Sequence, residues 1–245
     1  MTTQTEHGIE VPPLDLSEKG RRGGEVISLD RRLFMKFTAF GGCANPEPVI
    51  EALGAAGIAA ALYLDAADPR GIGVMAASED PDFFVTTLRE VFNSRPFDAL
   101  EYKPEFDMLG RSYSIGYEPD LENVLLQRPL RRLLDPENRW AVWYPLQRSK
   151  GFQRLPHEHQ MRILGEHGTL AKRFGQAGLA NDIRLACHGL DRHDNDFIVG
   201  LVGPTLHPLS AVVQEMRKTE QTAQYLENLG PFFVGRVAWQ SQYEQ

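Results

Sequence analysis

Cysteine is scarce in this sequence and long apolar runs are missing. The 245 residues contain only two cysteines, Cys43 and Cys187, with no CxxC pair and no zinc-ligand spacing. Neither a disulfide scaffold nor a thiolate metal site is therefore suggested, and both side chains read as buried thiols. No uninterrupted apolar stretch approaches the roughly 20 residues of a membrane helix, which excludes a transmembrane protein. Basic charge is in deficit: 26 Lys and Arg against 33 Asp and Glu leave a net charge of -7. That balance opposes attraction to phosphate backbones and anionic lipid, so neither nucleic acid nor a membrane is an expected partner. The opening MTTQTEHGIEVPPLDLSEKG has no basic region followed by an apolar core, so no secretory signal is read and a cytoplasmic location is expected. Two chemical motifs are also absent: FGGCANPEP has glycines before a helix but neither GxGxxG nor a Walker Lys-Ser/Thr ending, and HEHQM lacks the second histidine of the zinc-protease helix.

What is present is an ordinary globular composition, 42% hydrophobic and 24% charged, and a unit that occurs twice. Residues 1–31 mix Pro, Gly and charge without periodicity and read as an extended arm. Residues 32–119 follow as strand (RRLFMKFTAF), helix (NPEPVIEALGAAG), two strands joined by a DPRG turn, helix (DPDFFVTTLREVFN) and strand (FDMLGRSYSIGYE). Residues 120–138 form a linker with a short helix. Residues 139–245 repeat the order: strand RWAVWYPLQR, helix LPHEHQMRILGEHGTLAKRFG, hairpin DIRLACHGLDRHDNDFIVGLVG, helix LHPLSAVVQEMRKTEQTAQYLENLG and strand PFFVGRVAW. The fold class is thus α+β, built from tandem ferredoxin-like β-α-β-β-α-β repeats whose antiparallel sheets join edge to edge, hiding strands otherwise open to aggregation.

In the long helix of the second copy, Leu164, His167, Gly168, Ala171 and Phe174 share one face at spacings of three and four, so His167 points inward. Taken alone, such a residue is a core histidine bonded to a carbonyl or carboxylate. Gly168 and Ala171, however, leave room beside the imidazole for a flat, bulky ligand, and a neutral imidazole in an apolar pocket is the usual axial ligand of haem iron. The second ring nitrogen then needs an acceptor. Glu220 on the following helix is a candidate, which spacing alone does not separate from Glu215. Strand alternation places Tyr144 and Arg148 on one face with Trp140, Val142 and Leu146, displaying a phenol and a cation together.

Five segments, YPLQR (144–148), MRILGEHG (161–168), HGLDRHDNDF (188–197), EMRKTE (215–220) and GPFFVG (230–235), resemble the chlorite dismutase-like haem proteins, and within them the bacterial coproheme decarboxylases, in order and close to spacing. The resemblance spans the second half; the first half matches only in architecture, as a haemless copy that serves packing. It implies a dimeric α+β barrel type of fold, a ring of five subunits, and one haem in each carboxy-terminal copy. It also implies His167 as the iron ligand, Glu220 as the carboxylate that accepts from it, Tyr144 as a radical relay, and Arg148, with Lys150 as a second candidate, holding a porphyrin propionate. The implied reaction uses hydrogen peroxide to decarboxylate two propionates of iron coproporphyrin III, giving haem b. The alternatives are chlorite dismutation or peroxidase activity on the same scaffold, or haem binding and sensing without turnover.

The distal position departs from the family pattern. Dismutases carry an arginine and many decarboxylases a glutamine there; counting back from GLD places Asp182, with Arg184 two residues on along the same strand face, reaching the site only if the strand slips. A carboxylate in place of a fixed cation disfavours chlorite dismutation. His188 alternates onto the face of Asp182 and is a further distal candidate, and Phe152 stands where the family often has a tryptophan.

Overall fold

The computed structural model describes residues 13–242; the first twelve residues of the expected arm lie outside the described residues. The rest of that arm is regular. Strands β1 (Glu18–Arg22) and β2 (Glu25–Leu29) pair as a hairpin around Gly23 and Gly24, both at positive φ. A two-residue Gly-Gly loop is the turn a tight hairpin demands.

The first copy contains β3 (Phe34–Gly41), α1 (Glu47–Ala56), β4 (Ala60–Asp65), β5 (Ile72–Ser78), α2 (Thr87–Phe92) and β6 (Glu101–Arg111). Its second helix is broken, with a 3-10 turn over Pro81–Phe84 before α2. The β-branched run Val85-Thr86-Thr87 interrupts the helix, and the Thr86 hydroxyl donates back to the Asp82 carbonyl at 2.8 Å. Strand β6 stops at Arg111 rather than running on through Glu118. The Glu118 carboxylate accepts from the backbone N–H groups of Ile115, Gly116 and Tyr117, which folds this segment into a loop.

A π-helical turn (Asn123–Gln127) and α3 (Arg128–Leu133) lead to the second copy. It comprises β7 (Trp140–Arg148), the short α4 (Lys150–Gln153), α5 (His157–Gln176), β8 (Asn181–Ala186), β9 (Phe197–Gly203), α6 (Leu206–Met216), α7 (Glu220–Tyr225), β10 (Leu226–Leu229) and β11 (Phe233–Gln240). The single helix expected over 206–230 is therefore three elements: α6, α7 and an edge strand.

Both copies have the ferredoxin-like strand order, β4-β5-β3-β6 and β8-β9-β7-β11. Antiparallel pairing of β11 with β4 and of β6 with β8 joins them, so eight strands close into a barrel, with β10 extending the edge of β7 beyond β11. The two junctions are unequal: β11 and β4 pair from Gly235–Asp65 to Gln240–Ala61, whereas β6 and β8 meet at one residue pair, Arg111 with Ala186.

Alternation then sorts the side chains. Phe37, Tyr63, Trp143 and Phe233 are buried inside the barrel, their ring centroids 4.8 to 6.5 Å apart. They fit because the facing backbone is bare: a Cβ on Gly73 would lie 2.4 Å from the Phe37 ring, and one on Gly200 2.2 Å from Trp143. Outside the barrel, α1 and α2 cover the first copy over a filled layer that includes Phe40, Phe84, Leu88 and Phe97. On the second copy α5 and α6 cover Val142, Tyr144, Leu201 and Leu209 less completely.

Candidate functional site

The cavity of the second copy arises from an imbalance between its two covering helices. Helix α6 buries Leu209, Val212 and Met216 against the sheet, whereas the twenty residues of α5 bury only Ile163. The inner face of α5 stands off the strands. The resulting cleft has Tyr144, His167, Gly168, Asp182, Arg184 and Gln221 among its walls. Apolar walls come from Leu146, Ala171, Phe174, Leu201 and Val212.

Tyr144 reaches the cleft because β7 alternates: Trp143 points into the barrel and Tyr144 outward. It is 7% exposed and lies against Phe232, ring centroids 4.7 Å apart. Burial, and secondarily the charge of Asp182, hold its phenol protonated well above the ordinary tyrosine range.

His167 faces the cleft from α5. Burial, followed by the positive charges of Arg184 and Arg148, pushes its pKa down to about 4, so the imidazole is neutral at pH 7. Its Nδ1 lies 3.3 Å from the Thr219 hydroxyl, in the turn between α6 and α7.

Glu220 is not beside His167. As the first residue of α7 its carboxylate takes a bidentate pair from Arg162, at 2.8 and 3.1 Å, and its backbone N–H donates to Glu166. The expected carboxylate partner is thus corrected to a hydroxyl. Helix α6 ends at Met216, and the turn that follows carries Glu220 round to the outer surface of α5 while Thr219 faces inward.

On β8, Asp182 and Arg184 both line the cleft without any strand slip, in register with Leu201 and Val199 of β9. Arg184 Nε is 2.9 Å from Asp182 Oδ2, and Arg132 of α3 is 3.0 Å from Oδ1. Burial alone would raise the Asp182 pKa; Arg184, Arg132 and Arg128 instead bring it below its ordinary value. The expectation of a carboxylate without a cation at this position is therefore corrected, since Asp182 is one member of an arginine-rich cluster.

Arg148 ends β7 with its guanidinium 4.8 Å from the Phe152 ring centroid and 4.4 Å from that of Phe197. Its Nε is buried without a partner, and no carboxylate pairs with the guanidinium among the described residues. Asp196 instead accepts the Arg148 backbone N–H at 2.7 Å and pairs with His188, which is half exposed. Lys150, at the start of α4, is exposed and does not line the cleft. Of the expected site residues the cleft gathers Tyr144, His167 and Asp182, keeps Arg148 at the end of the same strand, and leaves out Lys150 and Glu220.

Sequence reasoning did not find Thr219, Gln221 or Arg132. A threonine just before a helix reads as a cap, and Arg132 reaches Asp182 from the linker, to which no periodicity points. Gln221 is 3% exposed with its Oε1 unpartnered. Among the described residues no group of three or more His, Cys, Asp or Glu is placed to hold a metal ion, and no helix is long and apolar enough to cross a membrane.

Fold and site together define a tandem ferredoxin-like barrel whose carboxy-terminal copy carries a histidine-lined cleft. Residues 123–238 match the family model described as chlorite dismutase. By that sequence match the second half of the chain is similar to the chlorite dismutase family. A novel heme-binding protein from Thermus thermophilus is 18% identical with a TM-score of 0.67, over 85% of this chain and 92% of that one. Chlorite dismutase from Candidatus Nitrospira defluvii in complex with imidazole is 14% identical with a TM-score of 0.63, over 86% and 92%. At these identities the likenesses speak for the fold. No curated protein matches the chain in sequence.

Proposed function

We propose that this protein binds haem through His167 and is an oxidoreductase that decarboxylates iron coproporphyrin III with hydrogen peroxide, yielding haem b. The observation that carries the reading is a neutral imidazole facing an apolar cleft that also holds a buried, protonated tyrosine. The residues fit a flat macrocycle. A Cβ on Gly168 would meet nothing within 4 Å, so the helix face beside His167 is open. The carboxylates of such a ligand would find Arg148, whose guanidinium lacks a carboxylate partner among the described residues, and the orphaned Gln221 Oε1 would gain a donor from a protonated carboxyl or a water.

When bound, the porphyrin iron supplies the activation of peroxide. The chain's own residues do the rest. His167 offers its lone pair to the metal. Tyr144, a protonated phenol at rest, would serve as the hydrogen-atom relay: having given up its Oη hydrogen, it would take one from a propionate β-carbon. The apolar walls exclude water from the reacting side chain. For each propionate, one peroxide and one proton are consumed as the carboxylate leaves as carbon dioxide, a vinyl group forms and two waters are released.

The test is titration of the purified protein with coproheme, then peroxide, followed by mass analysis of the porphyrin. Wild type should lose carbon dioxide from two propionates, and Tyr144→Phe should bind coproheme without yielding vinyl products. A normal product yield from Tyr144→Phe overturns the relay role. One observation favours a second reading: Arg184 lines the cleft, and a cation there suits retention of a hypochlorite intermediate in chlorite dismutation. Oxygen release on adding chlorite to the haem-loaded protein would establish it. Spectral binding without either turnover would identify a haem carrier or sensor.

A further inference from the structure

We infer that the Thr219 hydroxyl, and not a carboxylate, is the positioning group of His167: it accepts the Nδ1 proton and so leaves Nε2 as the metal-binding nitrogen of a neutral imidazole. The inference deepens the haem-binding reading and rests on it for the identity of the metal.

Hydrogen accounting carries the argument. A hydroxyl has one proton to donate. That of Thr219 goes to the Met216 carbonyl, 2.7 Å away, at the end of α6. Towards His167, at 3.3 Å, the oxygen can then only accept, so Nδ1 must bear the hydrogen. The Thr222 hydroxyl, a second possible acceptor for that proton, lies 3.4 Å away, so the Met216 carbonyl at 2.7 Å takes it. Thr219 is 4% exposed, which keeps water from replacing it as the acceptor.

The carboxylates near the turn are engaged elsewhere. Glu220 is paired with Arg162 at 2.8 and 3.1 Å, and Glu166 accepts the Glu220 backbone N–H at 3.1 Å. These two contacts tie α7 to the outer side of α5 and hold the turn in the position that aims Thr219 inward.

A hydroxyl acceptor differs chemically from a carboxylate. A carboxylate pulls strongly on the Nδ1 proton and gives the ring imidazolate character, raising its basicity towards a metal; a neutral oxygen orients the ring with a weaker pull. The axial bond should therefore be that of a neutral histidine.

The experiment uses the full chain with His167 labelled with nitrogen-15, compared in wild type, Thr219→Val, Thr219→Ser and Glu220→Gln. In the ligand-free protein at pH 7, wild type and Thr219→Ser should show the Nδ1-protonated tautomer. Thr219→Val should lose it in favour of the Nε2-protonated form that free histidine prefers, and Glu220→Gln should retain it. The same proteins loaded with hemin and reduced should show the iron–histidine stretching band at lower frequency in Thr219→Val only, restored in Thr219→Ser. An unchanged tautomer in Thr219→Val, or a change of equal size in Glu220→Gln, overturns the assignment whether or not hemin binds. Failure of wild type to take up hemin overturns the iron-ligand reading, while the tautomer result is read separately.

Discussion

At the scale of single residues, Asp182 decides much of the electrostatics of the cleft. Its pKa lies below the ordinary 3.8 because three arginines outweigh the effect of burial. A lowered carboxylate pKa contributes stability that is present above 3.8 and is lost as pH falls through the folded-state value. Asp182→Asn should remove that acid limb from a plot of urea midpoint against pH. At pH 7 it should cost about 1–3 kcal/mol, because Arg132 and Arg184 lose their shared acceptor. A variant that keeps the wild-type acid limb would show that the limb belongs to other groups. Inside the barrel, Gly200→Ala should cost at least about 1–3 kcal/mol in chemical denaturation, since the added methyl meets the Trp143 ring at 2.2 Å and neither strand nor indole has room to yield. His167 and Tyr144 were legible in the sequence because each lies within a long regular element whose period fixes its direction. Glu220 was misplaced because the helix before it stops at Met216, and beyond a break the period no longer says which way a residue faces.

At the scale of elements, the two helices over the second sheet should behave differently. Helix α5 buries only Ile163, so little apolar packing opposes its local opening, whereas α6 is anchored by three buried side chains. Amide hydrogen exchange should be faster in the middle of α5 than in α6, and hemin should slow α5 preferentially. Equal rates in the two helices of the ligand-free protein would contradict this. In the first copy the equivalent layer is filled by Phe40, Phe84 and Phe97. The strands were easy to read from alternating and continuous apolar runs. The β1–β2 hairpin was hidden because its strands are polar, and the division of 206–230 into α6, α7 and β10 depends on β10 pairing with the far end of β7, a distant partner that local pattern cannot reveal.

At the scale of the whole molecule, the weak point is the junction of β6 with β8, where a single residue pair bridges the copies. The β1–β2 hairpin braces the β6 side of that junction from outside. Glu18 binds the Arg111 guanidinium at 2.8 Å and the Ser114 N–H at 2.9 Å, and Arg21 donates its backbone N–H to the Glu118 carbonyl at 3.0 Å. Glu18→Ala should lower stability by about 1–3 kcal/mol and speed amide exchange in β6 and β8 more than in β4 and β11. Uniform acceleration across the barrel would argue against a strap. The tandem ferredoxin-like architecture itself was legible from the repeated order of elements; closure of the barrel was not, because it depends on which edges meet.

Closure within one chain has a further consequence. Residues 112–139 tether the end of β6 to the start of β7, so the two sheets meet at a high effective concentration set by the length of the connection. Dilution cannot pull the halves of the barrel apart. The aromatic-filled copy is thereby a permanent companion to the hollow one, free to lose any pocket of its own while still supplying both sheet borders that its neighbour needs.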